Sequence, residues 1–285
     1  MATPSSPKLP PTLSSPPPPV PDVLVSFPAE HILLVTLNRP KQLNAIPRPQ
    51  HFALEALWTW YDAEPTLRCA VITGTGRAFC AGQDLKEWNA LNTASSSPST
   101  RMPASGFGGL SNRGGTKPVV AAVNGICLGG GMEMAVNCDL VVAAARATFG
   151  LPEVAIGVIA LAGALPRLAR SVGRQRAAEM ALAGRRDYGA EEMRAWGLVN
   201  EVVEEGGDVV EAALGWAGRI AANSPDAVIV SREGLKLGWE GVGPQQGTDI
   251  IIKGWYARIE QGENFVEGVR SFNERRKPVW KDSKL

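Results

Sequence analysis

The pattern of apolar and polar residues changes along the chain, from strands alternating with helices to a succession of helices. Apolar runs at residues 23–27, 31–37 and 69–73 predict strands, and the helical spacing of apolar side chains at about 50–63 predicts the first helix. Alternation of this kind continues to about residue 205. It is typical of a largely parallel sheet, so the sequence predicts an α/β fold for this part.

Beyond residue 160 the chain is predicted to be mostly helical. Helical segments fall between residues 161 and 260, and a last one covers 264–277, with one short strand at 198–203 among them. The Pro-rich start is predicted to be disordered, and the Gly- and Ser-rich residues 92–117 to form a long mobile loop that covers a site. The predicted parts are a tail at 1–22, an α/β core at 23–205, a helical region at 206–280 and a short tail at 281–285.

Composition narrows the classes of function. The formal net charge of +1 offers no basic surface for nucleic acid or for an anionic membrane. No stretch approaches the roughly 18 consecutive apolar residues of a membrane helix. The four cysteines form no C-x-x-C pair and lie far in sequence from His31 and His51, so we expect buried free thiols rather than a metal site. A histidine-dependent nucleophile is not expected either.

A strand, a glycine turn and a helix start meet at residues 119–139. The apolar run Val119–Val123 predicts a buried strand, and three consecutive glycines at 129–131 precede a segment that can be helical. Backbone N–H groups at a helix start carry partial positive charge, and glycine allows a ligand atom to come close. The stretch therefore predicts an oxyanion-binding N–H, that of Gly130, beside the carboxylate of Glu133. The alternative is a tight turn in which Glu133 only complements the helix dipole.

Two further motifs contain the same ingredients. Residues 78–85, Ala-Phe-Cys-Ala-Gly-Gln-Asp-Leu, form a second glycine turn between a strand and a helix. Residues 149–153, Phe-Gly-Leu-Pro-Glu, add a second carboxylate, Glu153, although a glutamate after proline is also an ordinary helix start. Other glycine-rich segments, at 74–79 and 109–117, lack the spacing of a dinucleotide or phosphate-binding loop.

Together with Leu-Asn-Arg-Pro-Lys-Gln-Leu-Asn-Ala at residues 37–45, these motifs closely resemble the crotonase superfamily, the enoyl-CoA hydratases and isomerases. The resemblance covers roughly residues 23–280 and rests on four ordered motifs at matching separations. It implies a crotonase-type core of repeated ββα units with a helical C-terminal region, assembled as a homotrimer or hexamer. It also implies an acyl-CoA substrate and no separate cofactor, because CoA is part of the substrate.

The resemblance implies a role for each motif. The N–H groups of Gln83 and Gly130 would form an oxyanion hole that stabilises the enolate of the thioester. In hydration of a 2-enoyl-CoA, Glu133 would activate water and Glu153 would protonate Cα, and dehydration would reverse these steps. CoA or acyl contacts are implied for Lys41, Leu43, Ala45, Gln83, Asp84, Leu85, Lys86 and Gly130, and more weakly for Phe272, Arg275 and Lys277.

Two features depart from the general family pattern. Leu161 replaces a glycine near the acyl group, so it is expected to narrow or reshape the acyl pocket. The string at 160–168 and the end Ser283-Lys284-Leu285 resemble a fungal peroxisomal branch, some of whose members serve siderophore or toxin synthesis. The terminal tripeptide is a peroxisomal address, which predicts a peroxisomal location and the import receptor as a partner.

Three functions stay open at this point. Retention of both glutamates favours a hydratase. A Δ3,Δ2-enoyl-CoA isomerase, in which one glutamate moves the proton, is the nearest alternative. A non-catalytic crotonase-like binding protein is the third, and near-neutral charge argues against RNA as its ligand.

Overall fold

The computed structural model describes residues 13–88 and 102–285, which contain two β-sheets and their covering helices. Ten strands occur in these ranges: β1 (Val23–Ala29), β2 (Ile32–Leu37), β3 (Cys69–Gly74), β4 (Ala78–Cys80), β5 (Val119–Val123), β6 (Ile126–Leu128), β7 (Leu140–Ala144), β8 (Thr148–Gly150), β9 (Tyr188–Gly189) and β10 (Glu201–Val203). The first sheet has the order β1-β2-β3-β5-β7-β10, and the second has the order β4-β6-β8-β9.

Most neighbouring strands run parallel, which confirms the predicted α/β architecture. Within the described chain only the β1–β2 and β8–β9 pairs are antiparallel. In the second sheet, Cys80 of β4 lies opposite Cys127 of β6, and Leu128 of β6 lies opposite Gly150 of β8. The turns that follow these three parallel strands therefore leave the sheet side by side at one edge.

Helices cover the sheets and make up most of the C-terminal region, as predicted. They are α1 (Arg48–Ala63), α2 (Gly130–Asn137), α3 (Ala164–Val172), α4 (Arg174–Ala183), α5 (Ala190–Ala195), α6 (Val209–Ala221), α7 (Pro225–Trp239), α8 (Pro244–Ile250), α9 (Ala257–Ile259) and α10 (Glu263–Asn273), and residues 85–88 are also helical. The helical segment predicted to end at residue 260 is continuous, and a π-helical stretch, Ile251–Tyr256, joins α8 to α9 within it.

Helix α6 illustrates how the sequence pattern attaches a helix to the sheet. The Asp208 side chain accepts hydrogen bonds from the N–H groups of Val210 and Glu211 and so caps the helix start. Every fourth residue along one face is buried, and the small alanines among them allow close contact with the six-stranded sheet. These buried residues are Val209, Ala213, Ala217 and Ala221.

Part of the Pro-rich segment predicted to be a disordered tail packs against α1. The backbone N–H of Ser14 donates to Glu64 at 2.9 Å, the Trp60 indole donates to Ser15, and Val20 is buried. Residues 1–12 lie outside the described part of the chain. The packed body therefore begins before residue 23.

The segment predicted as a long mobile loop also contains buried structure. Residues 89–101 lie outside the described ranges, whereas Phe107 and Leu110 belong to the core. The Trp58 indole of α1 donates to the Gly108 carbonyl at 3.0 Å, which ties this segment to the helix beneath it. The half of the loop that follows residue 101 is thus part of the packed body.

Two predictions about assembly and address remain predictions. The Ser283 hydroxyl donates to Asp226 at 2.5 Å and Lys284 pairs with Glu263 at 3.3 Å, so the last residues lie against the body of the protein. The structure of a single chain tests neither the predicted oligomer, a trimer or hexamer, nor the predicted peroxisomal address. No helix in the described ranges has the length and apolar character needed to cross a membrane.

We predict that Gly131→Ala lowers the free energy of unfolding by about 1–3 kcal/mol, because an added Cβ would overlap the Cys80 carbonyl oxygen and push α2 away from β4. Urea unfolding of the variant and its parent measures the change. Gly215→Ala is the matched control, since this helical glycine of α6 has open space around its Cβ position and alanine favours a helix. Equal stability of the Gly131→Ala variant and its parent would contradict the close packing of α2 against β4.

Candidate active site

A cavity of about 890 Å³ lies where the turns after β4, β6 and β8 meet. All four predicted catalytic residues line it: Gln83 from the first turn, Gly130 and Glu133 from the second, and Glu153 from the third. The three turns are separated in sequence, and parallel pairing of the three strands brings them together. The structure thus brings the four residues to one cavity, and their catalytic roles stay predictions.

Two backbone amides face the cavity from adjacent turns. The Ile46 N–H donates to the Gly82 carbonyl and the Ile46 carbonyl accepts from Asp84, so the Gln83 N–H between them is directed away from Ile46. The Gly130 N–H is at the start of α2, and a Cβ on Gly82 would lie only 3.3 Å from its nitrogen. Neither amide donates a hydrogen bond to another described residue. Both N–H groups are therefore available to an oxygen in the cavity.

Glu133 is buried in the first turn of α2, with only 4% of its surface exposed. Its Oε1 accepts hydrogen bonds from the backbone N–H groups of Ala162, at 2.9 Å, and Ala164, at 3.4 Å. Burial raises the pKa of Glu133 to about 7, and the nearby negative charge of Glu153 adds to the rise, while the two N–H donors oppose it. This carboxyl group can therefore gain or lose a proton near neutral pH.

Glu153 approaches the same space from the short 3-10 helix Glu153–Ile156. Its Oε1 lies 3.2 Å from the Cβ position of Gly129, a glycine with φ of +55° at the turn before α2. Its Oε2 is buried and has no hydrogen-bond partner within the described chain. Burial raises the pKa of Glu153 as well. One carboxylate oxygen is thus left for a group that enters the cavity.

His51 of α1 also lines the cavity, although no sequence motif pointed to a function for it. Its Nδ1 accepts a hydrogen bond from the Gly108 N–H at 3.0 Å, so a neutral ring carries its proton on Nε2. That nitrogen lies 3.0 Å from the side-chain oxygen of Gln83 and donates to it. Burial lowers the pKa of His51 to about 4, so the ring is neutral at pH 7. The histidine therefore holds the side chain of Gln83, the residue whose amide is predicted to bind an oxyanion.

The spacing of apolar residues in α1 contains a signal for His51. It lies three positions before Leu54 and seven before Trp58, on the face that enters the core. A histidine in such a place needs two hydrogen-bond partners, and those partners come from distant segments. The Phe107 ring packs against the imidazole in a tilted arrangement, with centroids 4.5 Å apart and an interplanar angle of 59°.

The predicted CoA-binding residues have mixed positions. Gln83 and Leu85 line the cavity, whereas Lys41, Leu43 and Ala45 do not. The segment 41–45 is nevertheless adjacent to the Gln83 turn, since the Leu43 carbonyl accepts the Ala81 N–H at 3.0 Å. Its contact with CoA stays a prediction, as does that of Lys86.

Asp84 has a structural role that accounts for its place in the motif. Its carboxylate pairs with Arg39 at 3.0 Å and accepts from the backbone N–H of Lys86 at 3.2 Å. These bonds cap the helix that follows the turn and join it to the segment after β2. They keep the pKa of Asp84 low against the opposing effect of its partial burial.

The remaining predicted residues lie at the border of the cavity or outside it. Leu161 lines the cavity and is 82% exposed, so the predicted narrowing of the acyl pocket stays a prediction. Phe272 is 83% exposed, and Arg275 and Lys277 are exposed beside it, all away from the cavity of this chain. Within residues 13–88 and 102–285, no group of three or more metal-ligating side chains occurs.

We predict that Glu133→Gln makes the protein more stable at pH 8 but not near pH 4.5. The raised pKa means that the folded protein binds this proton more tightly than the unfolded chain, so the parent loses stability as pH rises from about 4.5 to about 7. The gain at pH 8 should be at most about 3 kcal/mol. Chemical denaturation at both pH values measures it, with exposed Glu205→Gln as control. If the difference in unfolding free energy between the variant and the parent were the same at both pH values, the raised pKa of Glu133 would be contradicted.

We also predict that His51 is neutral, with its proton on Nε2, between about pH 6 and 8. Selective 15N labelling of histidine and two-bond 1H–15N spectra distinguish the tautomers, and a His51→Asn variant assigns the signals because the chain has only two histidines. An imidazolium pattern at pH 6, or a proton on Nδ1, would contradict the hydrogen bonds described above.

The sequence profile of the enoyl-CoA hydratase/isomerase family matches residues 28–283. "Mevalonyl-coenzyme A hydratase SIDH" of Beauveria bassiana is 64% identical over 280 residues, covering 96% of this chain and 100% of that protein. "Mevalonyl-coenzyme A hydratase sidH" of Aspergillus fumigatus is 52% identical over 268 residues, covering 94% and 98%. Both relatives are fungal, which agrees with the predicted branch.

Solved structures agree with the sequence comparisons. The crystal structure of enoyl-CoA hydratase from Mycobacterium tuberculosis H37Rv superposes with a TM-score of 0.83 at 35% sequence identity, covering 92% of this chain and 100% of that one. The profile match spans most of the chain, and the relatives are covered almost completely. The chain therefore belongs to the enoyl-CoA hydratase/isomerase family, the crotonase superfamily, and is a hydratase of CoA thioesters.

Proposed function

We propose that this hydratase interconverts a 3-hydroxyacyl-CoA and the corresponding 2-enoyl-CoA, with mevalonyl-CoA as the substrate on the hydroxyacyl side. The substrate is taken from the two fungal relatives that carry its name. The mevalonyl group is a 3,5-dihydroxy-3-methylpentanoyl chain, so loss of water across C2 and C3 gives 5-hydroxy-3-methylpent-2-enoyl-CoA. The observation that carries the proposal is the convergence of two unpaired amides, the buried Glu133 and the partly buried Glu153 on one cavity.

The amides supply electrostatic stabilisation of the intermediate. Removal of a proton from C2 places negative charge on the thioester oxygen, which would accept the N–H groups of Gln83 and Gly130. Preorganised donors of this kind contribute about 3 kcal/mol each to the stabilisation of a transition state. The Gly130 amide also brings the positive end of α2 to this oxygen.

The glutamates divide the proton transfers. In dehydration, Glu153 takes the proton from C2, the C2=C3 bond forms, and the C3 hydroxyl leaves as water with the proton of Glu133. Hydration runs the same steps backwards. Burial raises the pKa of both carboxyl groups, that of Glu133 to about 7, which supports this exchange of protons. The Oε2 of Glu153, buried without a protein partner, is available for the reacting group.

Both alternatives are less well supported. An isomerase needs only one proton-carrying group. The presence of a second carboxyl group in the same cavity would then have no explanation. A binding protein would retain two carboxyl groups with raised pKa values for no chemical use, although a raised carboxyl pKa lowers stability at neutral pH. The second carboxyl group therefore favours addition or loss of water.

We predict that Glu133→Gln and Glu153→Gln each lower kcat by about 10²–10⁴-fold, because each removes one proton-transferring group. The absorbance of the conjugated enoyl thioester follows turnover with crotonyl-CoA and with 5-hydroxy-3-methylpent-2-enoyl-CoA. Calorimetric titration with a saturated acyl-CoA tests whether binding is retained. Exposed Glu205→Gln is the matched control and should be as active as the parent.

Two results would contradict the mechanism. A variant at either glutamate that keeps the full hydration rate would remove that residue from the proton transfers. Conversion of a 3-enoyl-CoA to a 2-enoyl-CoA, without uptake of 18O from labelled water and without hydration of the product, would identify an isomerase instead.

A further inference from the structure

Trp239, at the end of α7, is a lining residue of the same cavity as the two glutamates. Its Nε1 atom is buried and has no acceptor within residues 13–88 and 102–285. Burying an N–H group without an acceptor is unfavourable, so proteins rarely leave one without a reason. An acceptor supplied by a ligand would satisfy it.

Other tryptophans show that this chain normally provides acceptors. The Trp58 indole donates to the Gly108 carbonyl, that of Trp216 to Glu201 at 2.6 Å, and that of Trp280 to the Ala222 carbonyl at 2.8 Å. Three buried side-chain N or O atoms in the described chain lack a partner, and two of them, Glu153 Oε2 and Trp239 Nε1, belong to this cavity. Glu153 Oε2 is proposed to contact the reacting group of the substrate. By the same reasoning, Trp239 Nε1 would contact another group of the substrate.

The position of Trp239 is fixed relative to Glu133 through α3. Arg170 of α3 donates to the backbone carbonyl of Trp239, and Arg167 donates to the side chain of Glu240 at 3.4 Å. The backbone N–H groups that hold Glu133 come from the start of the same helix, at Ala162 and Ala164. Six residues of helix, about 9 Å, separate Ala164 from Arg170, which is the scale of a short acyl chain.

The chemistry of this end of the cavity selects the kind of acceptor. An indole N–H donates only and carries no charge, so it suits a neutral oxygen. The neighbouring guanidinium groups already bind backbone carbonyls and Glu240, and Leu161 and Pro166 add apolar surface. A hydroxyl group at the end of a short branched acyl chain fits these conditions.

We propose that the Trp239 N–H is a specificity-determining contact that binds the terminal hydroxyl of the acyl chain. The proposal rests on the proposed function, since it places the C5 hydroxyl of the mevalonyl group at this indole. It adds a polar subsite for an ω-hydroxyl, on a helix of the C-terminal region, to the groups that act on the thioester.

The test compares pairs of CoA thioesters that differ only in this hydroxyl. Calorimetric titration gives dissociation constants for 5-hydroxy-3-methylpentanoyl-CoA and 3-methylpentanoyl-CoA, which are saturated and need no turnover. The wild-type protein should prefer the hydroxylated ligand by about fivefold to tenfold, as expected for one neutral hydrogen bond. Trp239→Phe, which keeps an aromatic ring and removes the N–H, should reduce this preference to near one.

Kinetics with the matching enoyl pair provide a second readout. In Trp239→Phe the hydroxylated enoyl thioester should show a higher KM with little change in kcat, whereas the substrate without the terminal hydroxyl should keep its KM. Trp216→Phe is the control, because it removes an indole N–H that binds Glu201 outside the cavity. Its hydroxyl preference should equal that of the wild type.

The outcomes separate this proposal from the proposed function. A binding preference that Trp239→Phe abolishes supports the subsite even if no thioester is hydrated, a result that would refute the hydration proposal alone. Absence of any preference in the wild type, or its persistence in Trp239→Phe, overturns the subsite. If Trp239→Phe fails to fold by circular dichroism, Trp239→Met, which also removes the N–H, is tested in its place, and it too should lose the preference.

Discussion

Parallel pairing of β4, β6 and β8 is the constraint on which the site depends. Gln83, Gly130 and Glu153 follow these strands, and nothing in their sequence separation would bring them together. The register that sets Cys80 opposite Cys127, and Leu128 opposite Gly150, makes the three turns leave the sheet at one edge. A slip of one residue would turn the side chains of a strand to the other face and separate the two amides. Much of the remaining fold serves to hold this small sheet against α2.

Burial gives the site its chemistry and also weakens the fold locally. Removing Glu133 and Glu153 from water disfavours their charged forms, which is why both pKa values rise. The two N–H donors from the start of α3 limit this effect at Glu133 without cancelling it. Stability comes instead from the cores on the two faces of the six-stranded sheet, where apolar residues of α1 and α6 are fully buried. Packing elsewhere thus offsets the local cost of these two carboxyl groups.

The sequence was sufficient to predict local features, and long-range contacts account for what it did not predict. Glycine turns, the strand–helix alternation and the carboxylates Glu133 and Glu153 are encoded in short segments. His51 depends on Gly108, which lies 57 residues away, and on the side chain of Gln83. Residues 13–22 are ordered by contacts with α1 that a Pro- and Ser-rich composition does not indicate. Trp239 lies in a helix whose periodicity gives no hint that its end reaches the cavity.

The groups that the fold leaves without partners define what it can bind. Two buried charges outside the cavity are satisfied: Lys117 donates to the carbonyl oxygens of Tyr61 and Glu64, and Arg113 pairs with Asp62. In the cavity, by contrast, two amides, one carboxylate oxygen and one indole N–H have no partner in the described chain. A ligand lacking the matching atoms leaves these groups buried and unpaired, and that penalty discriminates more strongly than the gain from an added contact. Selectivity in this protein would then arise less from the shape of an apolar pocket than from polar groups that only the right acyl-CoA can satisfy.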